Sequence, residues 1–123
     1  MSQLKKLGEL AVVAIKAVVG KQDPFCVFRL GEEAKKTITD YRGGQHPVWD
    51  DQVNLTVYEG KTKMYVQLFD EDAKREDLIS EGEVDLTAVI KDGEQDDWYP
   101  LSYKNRRAGD IYLELTFYAA VSG

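Results

Sequence analysis

The chain has 123 residues, enough for one domain with one sizeable core, and 43% of them are apolar, which excludes a disordered acidic tail. The formal net charge of −6 disfavours nonspecific binding to nucleic acid, and no apolar run reaches the roughly 20 residues of a membrane helix. The single cysteine, Cys26, excludes an internal disulfide and is consistent with a reducing compartment.

Alternating apolar residues predict eight short strands, because successive side chains of a strand point to opposite faces. Turn residues separate these runs, among them Ala108–Gly109 before the last strand, and Thr87–Lys91 is predicted to form one helical turn. Regularly spaced short strands predict a sandwich or barrel in a single domain over 1–123. The predicted strands are 8–17, 25–31, 34–40, 48–57, 63–70, 79–86, 97–103 and 109–119.

The first of these elements has two interpretations. Five apolar residues also fit the spacing of an amphipathic helix: Leu4, Leu7, Ala11, Ile15 and Val18. The β-branched residues Val12, Val13 and Ile15 favour a strand. We therefore expect a strand, with the helix as the alternative.

Four aspartates at the ends of predicted strands are candidate metal ligands. Asp70 and Asp72 share a face because they are two residues apart, and Asp77 follows after a short polar loop. Asp23 precedes Pro24 at the start of another strand. Converging carboxylates repel one another unless a cation neutralises them, and calcium accepts six to eight oxygen ligands in flexible geometry. The alternative is that Asp23 caps a turn while the others face water.

Four motifs follow one another in a fixed order along the chain. Gly8–Ala17 resembles the opening strand of a known family, and Gly20–Phe25 resembles that family's G-K-x-D-P-[YF] motif. His46–Trp49 is similar to its N-P-x-W corner. Phe69–Asp72, followed by Glu76–Ile79, resembles its D-x-D…D-D-x-[IL]-G loop. This order of motifs resembles that of a C2 domain, and the resemblance extends over most of the chain, from about residue 8 to 119.

Further segments indicate which type of C2 domain and which order of strands the chain resembles. The stretch 43–50, together with Trp98–Leu101, is similar to fungal C2 domains, including the cytokinetic ingression type. A G-x-I-x-L-x-L strand at Gly109–Leu115 is similar to the phospholipase C-like order of strands. The resemblance therefore implies an all-β fold, an eight-stranded antiparallel β-sandwich of two four-stranded sheets.

The resemblance implies a non-catalytic module that docks reversibly on anionic phospholipid membranes through loops at one end. In calcium-dependent members of the family the ion bridges loop aspartates and lipid phosphates, which implies a Ca²⁺ site at Asp23, Asp70, Asp72 and Asp77. The first loop, 18–22, lacks the family's further acid, and Ser80 stands where the family usually has glycine. We therefore expect the calcium dependence to be weak or lost, in a cytoplasmic, peripheral membrane protein that is a monomer.

Two further sets of residues are candidate lipid contacts. The family's second lipid surface is a basic face that recognises phosphoinositides, and valines at the first loop would insert into a bilayer if they are exposed. The alternatives are an ordinary solvated strand face and buried valines. The candidate residues are Arg29, Lys35, Lys36, Arg42, Lys61, Lys63, Val18 and Val19.

Enzymatic activity is not expected, because His46, the only histidine, lies at a predicted turn. Trp49 and Trp98 are expected to pack and not to face a ligand. The functional alternative is a calcium-independent protein-interaction scaffold, for example in fungal cytokinesis. The net charge and the missing acid favour the scaffold. The aspartate cluster favours membrane binding. The uneven distribution of charge along the chain also favours it, since residues 70–97 hold 12 acids and 3 bases.

Overall fold

The computed structural model describes residues 4–18, 24–37, 48–71 and 76–121. The predicted strands and the single helical turn are confirmed with small shifts of their ends, while 38–40 of the third predicted strand lie outside these ranges. Within the described ranges, no helix is long and apolar enough to span a bilayer. The elements are β1 Lys6–Val18, β2 Pro24–Leu30, β3 Glu33–Lys36, β4 Val48–Tyr58, β5 Lys63–Glu71, β6 Glu76–Asp85, α1 Thr87–Asp92, β7 Glu94–Tyr103 and β8 Arg106–Ala119.

All strand pairs are antiparallel, and the strands follow the order β3-β2-β5-β6-β7-β8-β1-β4. The first sheet is β3-β2-β5-β6 and the second sheet is β7-β8-β1-β4. A single residue pair, Glu81 with Ser102, joins β6 of the first sheet to β7 of the second. The predicted sandwich of two four-stranded sheets is thus confirmed, with the C-terminal strand β8 between β7 and β1.

The N-terminal segment is a strand, and the helical alternative is wrong. β1 pairs with β4 on one side and with β8 on the other, so it is a central strand with Leu10, Val12 and Ala14 fully buried. The register then shifts between Ala14 and Lys16 on both sides, and the next buried residue is Ala17. A bulge changes the period of burial from two to three at this point. The residues with helical spacing do not form the buried set, since Leu4 and Val18 are exposed.

The core lies between the two sheets, where the inward residues of both sheets interdigitate. Cys26 belongs to it: burial raises the pKa of its thiol, and the residue packs as a small apolar group, as predicted. The largest fully buried side chains come from both sheets and include Phe28, Leu30, Leu10, Leu55, Met64, Leu68, Leu86, Ile111, Leu113 and Leu115.

Chain direction assigns every connection to one of two ends of the sandwich. At the loop end, β1 and β5 end, and β2, β4 and β6 begin. The β7–β8 hairpin lies at this end too, because Val18 of β1 pairs with Asp110 near the start of β8. The opposite end carries α1 and the turns at 31–32 and 59–60.

The turn between the last two strands differs from the prediction. The expected turn at Ala108–Gly109 is wrong, since β7 and β8 are joined by Lys104–Asn105. Residue 108 is instead the extra residue of a bulge, because Leu101 pairs with Gly109 and Ser102 pairs with Arg107. Bulges are frequent near the ends of strands, and here one places a small residue and a glycine inside the ladder.

We predict that Gly82→Ala loosens the junction between the sheets. A β-carbon at Gly82 would lie 2.7 Å from the carbonyl oxygen of Pro100 and 3.2 Å from Leu101 Cδ2, so β6 and β7 would have to separate. The expected loss is about 1–3 kcal/mol in the free energy of unfolding, measured with urea. The exposed neighbour Glu81→Ala is the control, and an equal effect of both changes would contradict this explanation.

We predict that Ser80→Ala raises the stability. Ser80 is fully buried, and its hydroxyl has no hydrogen-bond partner among the described residues. Removing an unsatisfied buried hydroxyl should raise the free energy of unfolding by about 1 kcal/mol. Ser102→Ala, which removes a hydroxyl bonded to the Glu81 carbonyl, is the control. A lower urea midpoint for Ser80→Ala would show that the hydroxyl is stabilising.

Candidate functional site

Backbone pairing brings three strand ends together at the loop end. β5 lies between β2 and β6, and Asp70 is the pairing partner of Pro24 on one side and of Asp77 on the other. Two of the four predicted aspartates thus occupy one row of paired residues in the first sheet, Pro24, Asp70 and Asp77, which we call the aspartate row. Asp23, which precedes Pro24 in the chain, lies outside the described residues, and so does Asp72.

Aromatic side chains support this row from the next position along the strands. Phe25 and Phe69 are paired across β2 and β5, and their rings stack with centroids 5.6 Å apart. The ammonium group of Lys36 lies 5.1 Å from the Phe25 ring centroid, as a cation over an aromatic face. The stacked pair therefore packs across β2 and β5 at the position next to Asp70.

Trp49 connects the two sheets at the same end. Its side chain is only 6% exposed, which confirms the predicted packing. Its indole Nε1 donates a hydrogen bond of 3.0 Å to the carbonyl oxygen of Pro24. Because Trp49 belongs to β4 and Pro24 to β2, this bond holds the row of the first sheet against the second sheet.

The row fits calcium in ligand type, since calcium takes carboxylate and carbonyl oxygens. Among the described side chains, no three His, Cys, Asp or Glu residues come together in a way that could hold a metal ion. The predicted ligands Asp23 and Asp72, and the side chain of Asp77, lie outside that description. The backbone therefore establishes the neighbourhood of Asp70 and Asp77, and the ligand set itself stays a prediction.

Exposed valines border the loop end on the second sheet. Val18, the last residue of β1, is 44% exposed, so the burial alternative is wrong for this residue. Val48, at the start of β4, is 59% exposed and was not among the predicted contacts. Val19 lies outside the described residues. Apolar side chains are thus available to solvent at the edge of the site.

The predicted basic residues do not share one surface. Arg29 and Lys63 alternate with buried neighbours, and Lys36 pairs with Val27 on the same side as Arg29, so all three lie on the outer face of the first sheet. Lys35 pairs with the buried Phe28 and therefore lies on the other face of β3. Two more predicted residues are elsewhere: Lys61 is at the opposite end, bridged to Tyr58, and Arg42 is outside the described ranges.

A row of acids on β6 accompanies the cations of the outer face. Glu81, Glu83 and Asp85 alternate along β6, and Lys63 Nζ lies 3.6 Å from Glu83 Oε1. Arg29 Nε donates a hydrogen bond of 2.7 Å to Gln67 Oε1. The outer face of the first sheet is therefore balanced in charge, with cations on three strands and acids on the fourth.

Sequence reasoning missed a cationic hairpin at the loop end. Tyr103, Lys104, Arg106 and Arg107 are exposed around the β7–β8 turn. Their signal in the sequence is the run Tyr-Lys-Asn-Arg-Arg between two alternating strands, at a position where a turn was not expected. The hairpin adds positive charge to the end that carries the aspartate row.

The predicted packing of Trp98 is wrong. It lies on the outer face of the second sheet and is 41% exposed, paired with Tyr112 of β8. The two ring centroids are 5.4 Å apart, and Lys16 Nζ lies 5.6 Å from the Trp98 ring centroid. An exposed aromatic pair with a cation thus lies on the sheet that carries the hairpin.

On the inner side of β7, burial and, to a smaller extent, Asp97 and Asp96 raise the pKa of Tyr99 to about 12. The hydroxyl therefore stays protonated at physiological pH. Near the opposite end, the hydrogen bond from Lys6 lowers the pKa of Glu9. Neither shift lies in the aspartate row.

Comparisons with known proteins agree with this geometry. The family model described as C2 domain matches residues 6–101. The ingression protein fic1 of Schizosaccharomyces pombe is 35% identical over 104 residues, 83% of this chain and 38% of that protein. Extended synaptotagmin-3 of Xenopus tropicalis is 30% identical over 103 residues, 82% of this chain and 11% of that protein. The chain thus spans less than half the length of these two relatives.

A solved structure shows the same fold. It is a C2 domain-containing protein from an elicitor-responsive gene, with a TM-score of 0.85 and 21% identity. The similarity covers 100% of this chain and 97% of that one. Since the family model also matches most of the chain, the protein belongs to the C2 domain family.

Proposed function

We propose that this domain is a non-catalytic module that docks on anionic phospholipid membranes through its loop end, at the cytoplasmic face and with only a weak contribution from calcium. The observation that carries the proposal is the row Pro24, Asp70 and Asp77, which lies at the same end as the exposed Val18 and Val48. The row supplies a place for a bridging cation, and the valines supply apolar surface.

Calcium would act by neutralising the aspartate row. Carboxylates at directly paired positions of neighbouring strands repel each other, and the backbones of Asp70 and Asp77 are paired in this way. With Asp23 and Asp72 as the other proposed ligands, backbone carbonyls, water and lipid phosphates would complete the six to eight oxygens. A site with so few carboxylates binds calcium weakly, which is why the proposal assigns calcium a secondary part.

Other contacts would supplement the loop end. Val18 and Val48, with Val19 between the first two strands, would bury methyl groups at the interface, and each buried carbon contributes about 0.8 kcal/mol. On the first sheet, Lys36 would approach lipid phosphates. Arg29 and Lys63 would take part only if the outer face of the first sheet turned toward the membrane. Lys35 lies on the other face, Lys61 lies at the opposite end and Arg42 lies outside the described residues, so we assign them no contact.

A second candidate is a calcium-independent protein-interaction scaffold. The 35% identity with the ingression protein of Schizosaccharomyces pombe favours it. So does the balanced outer face of the first sheet, where Lys63 pairs with Glu83, because such a face attracts anionic lipid weakly. The two candidates differ in whether lipid alone is sufficient for binding.

We expect the protein to cosediment with phosphatidylserine–phosphatidylcholine vesicles in EGTA, and calcium to raise the bound fraction modestly. Asp70→Asn with Asp72→Asn should abolish the calcium increment, because the proposed bridging carboxylates are removed. Calcium should also raise the thermal midpoint of the parent protein and not that of the variant, since a ligand that binds only the folded state stabilises it.

The matched control is Asp92→Asn with Glu94→Gln, which removes the same charge at the opposite end, where both residues are exposed. This pair should keep the calcium increment. Absence of vesicle binding under all conditions would overturn the membrane proposal and leave the scaffold. Loss of the calcium increment in both variants would show a general charge effect in place of a bound ion.

A further inference from the structure

The hairpin between β7 and β8 has a conformation that disfavours the residue at its tip. Lys104 and Asn105 form a two-residue turn with φ of 50° and 66°. Positive φ at both positions is typical of type I′ turns, which prefer Asn, Asp or Gly. Asn105 suits its position, whereas Lys104 does not, because a left-handed conformation is unfavourable for a residue with a long side chain. The requirements of the turn therefore do not explain a lysine here.

The hairpin carries positive charge that nearby acids do not cancel. Arg107 is bonded to both carboxylate oxygens of Asp110, at 2.6 and 2.7 Å. Lys104 and Arg106 are exposed, and neither has an acidic side chain within ion-pair distance in the part of the chain that the structure describes. The ammonium group of Lys104 instead lies 5.3 Å from the Tyr103 ring centroid. On the outer face of the first sheet, by contrast, the acids of β6 balance the cations.

Apolar and aromatic groups continue from the hairpin along the second sheet. Farther along the strands from the turn lie Val18, paired with Asp110, and then Trp98, paired with Tyr112 near the middle of β7. Lys16 reaches over the Trp98 ring. Tryptophan with an apolar body and a polar N–H is suited to the boundary between water and lipid, and lysine extends its charge toward the headgroups.

We propose that Lys104, Arg106, Trp98, Lys16 and Val18, the hairpin patch, form the calcium-independent contact with an anionic bilayer surface. The inference rests on the proposed membrane function and specifies its geometry. The domain would dock with the β7–β8 side of the loop end against the lipid, and the aspartate row of the first sheet would lie to one side. An unfavourable lysine at the turn then has a reason, since it places a cation at the most projecting position of the patch.

Trp98 provides a direct probe of this orientation. Comparison of the protein that keeps both tryptophans with Trp98→Phe isolates the emission of Trp98, because Trp49 is buried and its bond to Pro24 is left in place. In EGTA, vesicles of phosphatidylserine and phosphatidylcholine should shift the Trp98 emission to shorter wavelength, because the indole leaves water for the interface. Vesicles of phosphatidylcholine alone should not. An unchanged emission in a sample that cosediments with the anionic vesicles would overturn the proposal.

The charge requirement is tested by cosedimentation of the protein with both native tryptophans. Lys104→Asn with Arg106→Gln should weaken binding to the anionic vesicles in EGTA about tenfold or more. Lys5→Gln with Lys91→Gln removes the same charge from exposed positions at the opposite end and should change binding by less than about twofold. The urea midpoint of the hairpin variant should be kept or raised, because asparagine suits the turn.

Equal weakening by both variant pairs would overturn the hairpin patch, and so would full binding of the hairpin variant. If the protein binds vesicles only when calcium is present, and the hairpin variant binds them as well as the parent protein does, this inference fails while the proposed function stands. If no vesicles bind, both fail. Complete competition by soluble glycerophosphoserine would identify a phosphate site and overturn the bilayer contact.

Discussion

The hydrogen bond from Trp49 to the Pro24 carbonyl fixes the loop end, where the proposed binding residues lie. The apolar contacts between the two sheets are strong but not directional, so they set the separation of the sheets more than their relative position. Directional bonds at the two seams set that position. On one side, Glu81 pairs with Ser102; on the other, the Trp49 bond is joined by the bond from the Thr56 backbone N–H to Glu33. Together they connect the two sheets that carry the aspartate row and the hairpin at the same end of the sandwich.

Local charge at this end differs from the net charge of the chain. Electrostatic attraction between exposed groups is screened over about 8–10 Å at physiological ionic strength, so a membrane responds to the nearest surface. Asp70 lies on the first sheet, while Lys104 and Arg106 lie on the hairpin of the second sheet. A net charge of −6 is therefore compatible with docking on anionic lipid, provided that the positive side of the loop end faces the bilayer.

The two tryptophans show how the same residue type takes different parts in one fold. Both stand in motifs that the sequence marks as structural, and packing was expected for both. Trp49 lies on an inward face and donates its N–H across the core, whereas Trp98 lies on an outward face beside Tyr112. The face follows from the register of each strand, and a bulge such as the one at Ile15 changes which face a later residue occupies.

The sequence by itself determined the eight strands, the sandwich and the family. Alternation and turn residues are local signals, so they can be recognised without knowing which strands pair with each other. It also located Asp70 and Asp77 at strand ends. Only the tertiary structure decided that these two positions are directly paired, that β1 is a central strand, and that Lys104 and Arg106 project from a hairpin at the same end. Register, bulges and the choice of neighbouring strands depend on contacts between residues far apart in the chain, and a local pattern carries no information about those contacts.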